Sequence, residues 1–184
     1  MSDASLDEAD LEAQVQEMYR RVAEEPKGEF HFAMDRALAE RLGYAAEDLD
    51  RIPPESLESF AGVGHYFHLA ALTEGENVLD LGSGSGADTF IASGKVGASG
   101  SVTGVDMTAA QIANAERLRD RDGFGNVSYR IGHIEDLPCA NGEFDVVVSN
   151  GVINLSPDKP KVFAEVARVL KPGGRMAIAD IVTE

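Results

Sequence analysis

The pattern of apolar residues divides the chain near residue 75 into two parts. In the first part Leu11, Val15, Met18 and Val22 follow one another by four, three and four positions, which places them on one face of a helix. A capping box over residues 5–8 begins this helix, and Pro26 ends it. Weaker patterns predict short helices over residues 33–42, 53–62 and 65–72, the first of them stopping at Gly43. Residues 1–74 are therefore predicted to be helical.

Residues 75–184 alternate short apolar runs with amphipathic helices, which is typical of βαβ units and a parallel sheet. The predicted strands are 77–81, 102–106, 127–131, 145–149 and 175–181, and the predicted helices are 87–96, 109–121 and 158–170. The expected helix ends are a capping box of Thr108 with Gln111, a cap at Ser156-Pro157 and a stop at Gly173-Gly174. This part of the chain is predicted to be a doubly wound α/β fold.

Composition limits the domain size, the cellular location and the classes of partner that are expected. The 184 residues are 43% hydrophobic and 26% charged, which fits one globular domain. The single cysteine, Cys139, excludes an internal disulfide and a multi-cysteine zinc site, so we expect no metal and a reduced, cytoplasmic location. No apolar run is long enough to span a membrane, and the acidic N-terminus is unlike a signal peptide. The net charge of −16 disfavours nucleic acid and membrane surfaces as partners.

A glycine-rich turn carries the most informative chemistry. Residues 78–86 read VLDLGSGSG, so a predicted strand leads directly into a turn and then into a helix near Ala87. Glycines let the backbone approach a ligand closely, and the start of the helix presents free N–H groups. In an open α/β sheet such a loop lies at the carboxyl ends of the strands, where ligands bind. The sequence therefore predicts a cofactor-binding junction.

Two cofactor classes fit this turn. Gly82, Gly84 and Ala87 match the dinucleotide fingerprint, and Asp106 follows at the distance of a ribose-binding acid, which keeps an NAD-type oxidoreductase as an alternative. Asp80 lies inside the first strand, immediately before the glycines. A carboxylate there would repel a pyrophosphate and attract an ammonium or a sulfonium. Asp80 therefore favours a cationic cofactor.

Five blocks of sequence together resemble class I S-adenosylmethionine-dependent methyltransferases: residues 78–86, 104–107 (GVDM), 134–138 (IEDLP), 144–149 (FDVVVS) and 167–174 (ARVLKPGG). Residues 149–159 (SNGVINLSPDK) and 180–182 (DIV) are similar to the arsenite methyltransferase branch. The resemblance implies a Rossmann-like, mainly parallel sheet of order 3-2-1-4-5, with S-adenosylmethionine as cofactor and a small molecule as methyl acceptor. It also implies a helical cap over residues 1–74 and a cofactor-binding core over 75–184.

The resemblance assigns a role to each block. Asp80 is expected to bind the ammonium of the cofactor, the glycines to pass its methionine part, Asp106 to accept from the ribose hydroxyls, and Met107 to pack on the adenine. The expected cofactor-binding residues are Asp80, Gly82, Ser83, Gly84, Gly86, Asp106, Met107, Gln111, Ile134, Glu135 and Asn150.

Methyl transfer from a sulfonium is an in-line displacement, which needs alignment and a dry pocket more than an acid–base triad. The residues expected near the reacting atoms are Asn150, His65 and Tyr19. In the arsenite branch, cysteines stand at the positions of Val63 and Gly151, and Cys139 matches neither. Because arsenite is held by thiolates, it is predicted to be a poor substrate. A non-catalytic module that binds the cofactor or a partner protein is a further alternative.

The chain stops directly after the fifth predicted strand, at Glu184. Class I methyltransferases usually continue with an antiparallel pair of strands, and here that pair is missing. We expect either a fragment, a minimal form, or a homo-oligomer that covers the exposed edge of the fifth strand, and a fragment is the favoured interpretation.

Overall fold

The computed structural model describes residues 8–24 and 34–182, and the side chains of residues 14–22 and 34–182. Five parallel strands form its sheet: β1 (Asn77–Leu81), β2 (Ser101–Asp106), β3 (Val127–Ile131), β4 (Phe144–Asn150) and β5 (Leu170–Ala179). Their order is β3-β2-β1-β4-β5, as predicted. The order reverses between β1 and β4, so the expected ligand crevice lies at the carboxyl ends of these strands.

Eight α-helices lie within the described ranges. They are α1 (Glu8–Glu24), α2 (Arg36–Leu42), α3 (Ala46–Leu49), α4 (Pro54–Glu58), α5 (Phe67–Ala70), α6 (Ala87–Val96), α7 (Ala109–Asp122) and α8 (Lys159–Val169), and a 3-10 turn covers Ile153–Leu155. None of them combines the length and apolar character that a membrane span requires.

The two faces of the sheet carry separate cores. Val78 and Leu79 are adjacent on β1, both fully buried, and point to opposite faces because strand side chains alternate. The core around Val78 includes side chains of α6 and α7 and also Leu49, Leu57 and Tyr66 from the N-terminal part. The core around Leu79 is completed by α8. Helices α2 to α5 therefore share their core with one face of the sheet.

The predicted end of α8 is wrong. The helix ends at Val169, and β5 begins at Leu170, which pairs with Phe144. The pairing is reinforced because Glu143 N donates to Val169 O at 2.8 Å. Gly173-Gly174 consequently lies inside an irregular part of β5 and does not close a helix.

Two predicted caps are also wrong. The start of α8 is capped by Asp158, whose carboxylate accepts from Lys161 N at 3.0 Å, in place of Ser156. The side chain of Thr108 makes no cap bond. The reciprocal bond is absent too, because Thr108 N donates to Asp106 Oδ1 at 2.8 Å and Gln111 Oε1 accepts from Ser85 Oγ at 2.5 Å.

The predicted helices of the first part of the chain appear in order as shorter elements, and α3 between them was not predicted. The box predicted over residues 5–8 lies outside the described side chains. Helix α2 stops at Gly43, which has φ +98, as predicted. The helices predicted to reach residues 62 and 72 end at Glu58 and Ala70, and Ala71 has a left-handed backbone with φ +44.

Candidate active site

A cavity of about 450 Å³ opens at the carboxyl ends of β1, β2 and β4. The glycine turn forms one wall, and the turns that follow β3 and β4 form two others. Val15 and Tyr19 of α1 close it from above, together with the segment between Ser56 and Gly62. This volume lies in the usual range for small-molecule sites.

The structure brings most of the predicted site residues together around this cavity. Those that line it are Tyr19, Asp80, Gly82, Ser83, Gly84, Asp106, Met107, Gln111, Ile134, Glu135 and Asn150. Two predicted residues, Gly86 and His65, are not among its lining residues.

The glycine turn is held by its neighbours. Gly82 N and Ser83 N donate to Val105 O at 2.8 and 3.1 Å. Gly84 has φ +52, and a Cβ added to it would meet nothing within 4 Å, so its bare backbone faces open space. Gly86 serves packing, because a Cβ there would lie 2.2 Å from Tyr129 Oη. The turn thus offers the cavity a stretch of backbone that a ligand can approach.

Asp80 is a buried carboxylate in the wall of the cavity, with an exposed fraction of 2%. Thr89 Oγ1 donates to its Oδ2 at 2.6 Å. Burial raises the pKa of Asp80, and the nearby charge of Asp88 raises it further. A cation in the cavity would remove this penalty, so the site is suited to a positively charged ligand.

Asp106 is held in place at the end of β2 by two backbone amides. Thr108 N donates to Oδ1 at 2.8 Å, and Gly84 N donates to Oδ2 at 3.0 Å. Burial raises the pKa of this carboxyl group also. A carboxylate is an acceptor only, and each oxygen retains room for a further hydrogen bond. Asp106 can therefore accept from two neighbouring hydroxyl groups of a ligand.

Asp88 completes the acidic lining and was missed in the sequence. Its carboxylate accepts from Tyr44 Oη at 2.8 Å and from Asn150 Nδ2 at 3.0 Å. Among the described lining residues Lys161 is the one lysine or arginine, against the buried Asp80 and Asp88 and the half-buried Asp106. This excess of acidic over basic side chains favours a cationic ligand over a pyrophosphate.

Two residues considered in the sequence lie elsewhere. His65 packs edge-on against Tyr44, with ring centroids 4.9 Å apart, and stacks on His68. Burial lowers the pKa of His65. Cys139 is half-buried beside Arg130, and burial raises the pKa of its thiol. The described residues hold no cluster of His, Cys, Asp and Glu fit for a metal ion.

The buried aspartates make a prediction about pH. Burial raises the pKa of Asp80, Asp88 and Asp106 above the ordinary 3.8, so the folded protein retains these protons to higher pH than the unfolded chain. Their stabilisation is complete below 3.8 and is lost as the pH rises through the folded pKa values. Replacing Asp80 with asparagine is expected to reduce the loss of unfolding free energy as the pH rises above 3.8, measured by urea unfolding without ligand. The same loss in both proteins would contradict this origin.

Comparison with known proteins agrees with this geometry. The profile of a family described as "Methyltransferase domain" matches residues 72–184. The chain belongs to this methyltransferase family. An arsenite methyltransferase of Halobacterium salinarum is 45% identical over 144 residues, which are 78% of this chain and 37% of that protein. One of Aquipseudomonas alcaligenes is 51% identical over 140 residues, 72% of this chain and 40% of that protein.

A solved structure leads to the same branch. An arsenic(III) S-adenosylmethionine methyltransferase from Chlamydomonas reinhardtii superposes with a TM-score of 0.65 at 44% identity, covering 73% of this chain and 47% of that one. These relatives confirm the predicted resemblance to the arsenite methyltransferase-like branch, and S-adenosylmethionine as its cofactor. The chain spans about two fifths of the length of the curated relatives.

The residues of the cavity fit this cofactor. Asp80 offers a buried negative charge to a cationic amino-acid group, and Asp106 offers two acceptor oxygens to ribose hydroxyls. Gly84 lines the same cavity, and its backbone leaves room for a ligand.

Proposed function

We propose that this chain is an S-adenosylmethionine-dependent methyltransferase that acts on a small molecule by direct in-line methyl transfer. The observation that carries the proposal is that buried Asp80, amide-anchored Asp106 and the open backbone of Gly84 line the same cavity. A dinucleotide would place its pyrophosphate next to Asp80, which disfavours the oxidoreductase alternative.

The proposed binding roles follow the cavity wall. Asp80 binds the cofactor's ammonium, Asp106 its ribose, and Met107 and Ile134 flank its adenine. Gly82, Ser83, Gly84, Gln111, Glu135 and Asn150 complete the wall, and Gly86 supports the turn from behind. When bound, S-adenosylmethionine supplies a methyl group activated by its sulfonium.

The chain's contribution to the reaction is alignment and exclusion of water. Phe60, Val152 and Leu155 give the cavity apolar walls, and Tyr19 lies over it from α1. Burial raises the pKa of Tyr19, and the charge of Asp106 adds to this, so its hydroxyl stays protonated near neutral pH. Such walls align the reacting groups and exclude water, which methyl transfer from a sulfonium requires.

We propose three further properties on sequence and fold. Residues 1–74 act as a cap over a core of residues 75–184, although the two share one apolar core. The single cysteine and the charge of −16 support a cytoplasmic location. Among the described strands β5 pairs with β4 alone, and its Ile178 is 37% exposed, which supports pairing of this edge in a homo-oligomer.

Calorimetry with three ligands tests the cofactor assignment. We expect the protein to bind S-adenosylmethionine and S-adenosylhomocysteine and not NADH. Binding of NADH in place of both would support the oxidoreductase and overturn the proposal.

Arsenite is expected to be a poor acceptor. The positions that carry cysteines in the arsenite branch, Val63 and Gly151, are in contact here, since a Cβ on Gly151 would lie 3.1 Å from Val63 Cγ1. Neither offers a thiolate, and Cys139 is not among the lining residues. With arsenite and glutathione, we expect the purified protein to show no turnover above background. Turnover that is undiminished in Cys139→Ser would contradict this prediction.

A further inference from the structure

Asp88 lies between the cavity and the segment that covers it. It follows the glycine turn at the second position of α6, its exposed fraction is 6%, and it lines the cavity. Tyr44 Oη and Asn150 Nδ2 donate to its two carboxylate oxygens. Asn150 Nδ2 also donates to Tyr44 Oη at 2.9 Å, so the three side chains form one connected cluster.

Asn150 fastens the covering loop, residues 61–64, to the end of β4. Its Oδ1 accepts from Val63 N at 2.8 Å and from Gly64 N at 3.3 Å. Its Nδ2 also lies 3.1 Å from Gly64 O, so the two hydrogens of the amide are shared among Asp88, Tyr44 and Gly64 O. The donors and acceptor of this amide are therefore engaged by the protein. Asn150 is a positioning residue for the loop, and Asp88 fixes the orientation of its amide.

The loop fits tightly against its supports. A Cβ on Gly62 would lie 2.5 Å from Asn150 Nδ2, and one on Gly64 would lie 2.8 Å from Ala179 Cβ on β5. Ala61 and Gly62 line the cavity at the same time. A change in how firmly Asn150 holds this loop therefore changes the wall that covers a ligand.

The charge of Asp88 is sensitive to what the cavity holds. Asp80 and Asp88 are both buried in the wall of one cavity, and the charge of Asp88 disfavours ionisation of Asp80. Burial raises the pKa of Asp88 also. A cation in this cavity would favour the ionised form of each carboxyl group. Hydrogen bonds to an ionised carboxylate are shorter and stronger than those to a neutral acid, so Tyr44 and Asn150 would be held more firmly.

We propose that a cation bound in the cavity tightens the loop 61–64 through Asp88 and Asn150, so that loading of the cofactor firms the wall of the acceptor site. The inference rests on the proposed function, because it takes S-adenosylmethionine as the cation. By linkage, a firmly held loop also favours retention of the cofactor.

Hydrogen exchange of the Val63 and Gly64 amides, both of which donate to Asn150, measures the effect directly. With saturating S-adenosylmethionine we expect exchange at these amides to slow about fivefold, as strengthening of a hydrogen bond by charge implies. Methylthioadenosine, which lacks the amino-acid group and the sulfonium, is expected to bind without this slowing. Equal slowing by both ligands would show that filling the cavity slows the exchange and that the positive charge of the ligand has no part in it. This result would overturn the proposal.

Matched variants separate the coupling from binding. In Asp88→Asn, which retains the shape but never ionises, we expect bound S-adenosylmethionine to leave the two amides unslowed. Asp136→Asn changes another lining acid outside the cluster and is expected to behave like the original protein. If Asp88→Asn does not fold, Asn150→Ala replaces it and is likewise expected to lose the slowing. Slowing that persists in the tested variant overturns the proposal.

Calorimetry on the same samples distinguishes failure of the loop coupling from failure of the proposed methyltransferase function. Binding of S-adenosylmethionine without any slowing in the original protein overturns the coupling and leaves the proposed function standing. Absence of binding overturns both.

Discussion

Replacing Asp80 with asparagine is expected to weaken binding of S-adenosylmethionine by about 100-fold, because loss of a charged partner from a buried pair costs about 2–5 kcal/mol. Asparagine retains the size of the side chain, and its carbonyl can still accept from Thr89 Oγ1. The unfolding free energy of the ligand-free protein should not fall, because the substitution removes a buried carboxylate whose pKa is raised. Titration calorimetry and urea unfolding measure the two quantities.

Methylthioadenosine provides the control for this substitution. It keeps the nucleoside and lacks the amino-acid group, so its affinity is expected to be the same in Asp80→Asn as in the original protein. An equal loss for both ligands would mean that Asp80 shapes the whole cavity and does not bind the ammonium.

Replacing Asp106 with alanine is expected to weaken binding of both ligands by at least about 150-fold, because it removes the acceptor of two hydrogen bonds, and each hydrogen bond to a charged group contributes about 1.5–3 kcal/mol. The substitution removes the acceptor for ribose and also releases Gly84 N and Thr108 N, which it now holds. The two substitutions together therefore assign the two halves of the cofactor to the two ends of the cavity.

Asp136→Ala is the matched control, since Asp136 lines the same cavity. Its effect on either affinity is expected to be small. An Asp106→Ala protein that binds methylthioadenosine as well as the original would place the ribose elsewhere.

The sheet could be predicted from sequence because its strands are short apolar runs buried on both faces, separated by helices with their own periodicity. The boundary between α8 and β5 could not be predicted from the sequence. Leu170 continues the apolar pattern of the helix, and it becomes strand because it pairs with Phe144, which is 26 positions earlier in the chain. The capping box of Thr108 with Gln111 was mispredicted for a similar reason. The side-chain oxygen of Gln111, which a capping box would use, accepts a hydrogen bond from Ser85, which is 26 positions away in the chain.

Some parts of the candidate site could likewise be predicted from the sequence, and others could not. Asp80, Gly84 and Asp106 could be predicted because they lie at strand ends, where chain order fixes position in a parallel sheet. Tyr44, Asp88 and Asn150 meet across separations of 44 and 62 positions, and no local pattern marks such a cluster. His65 packs against Tyr44 and does not line the cavity, although its segment leads into the sheet.

Transfer of a labelled methyl group tests the central claim most directly. The purified protein is incubated with S-adenosylmethionine labelled on its methyl group and a panel of small thiols, phenols, amines and metalloids, with Asp80→Asn in parallel. We expect labelled product from at least one small organic acceptor and formation of S-adenosylhomocysteine in equal amount. Both should be lost in the variant at cofactor concentrations that saturate the original protein. Tight binding of the cofactor with no transfer across the panel would contradict the claim and identify a binding module without catalysis.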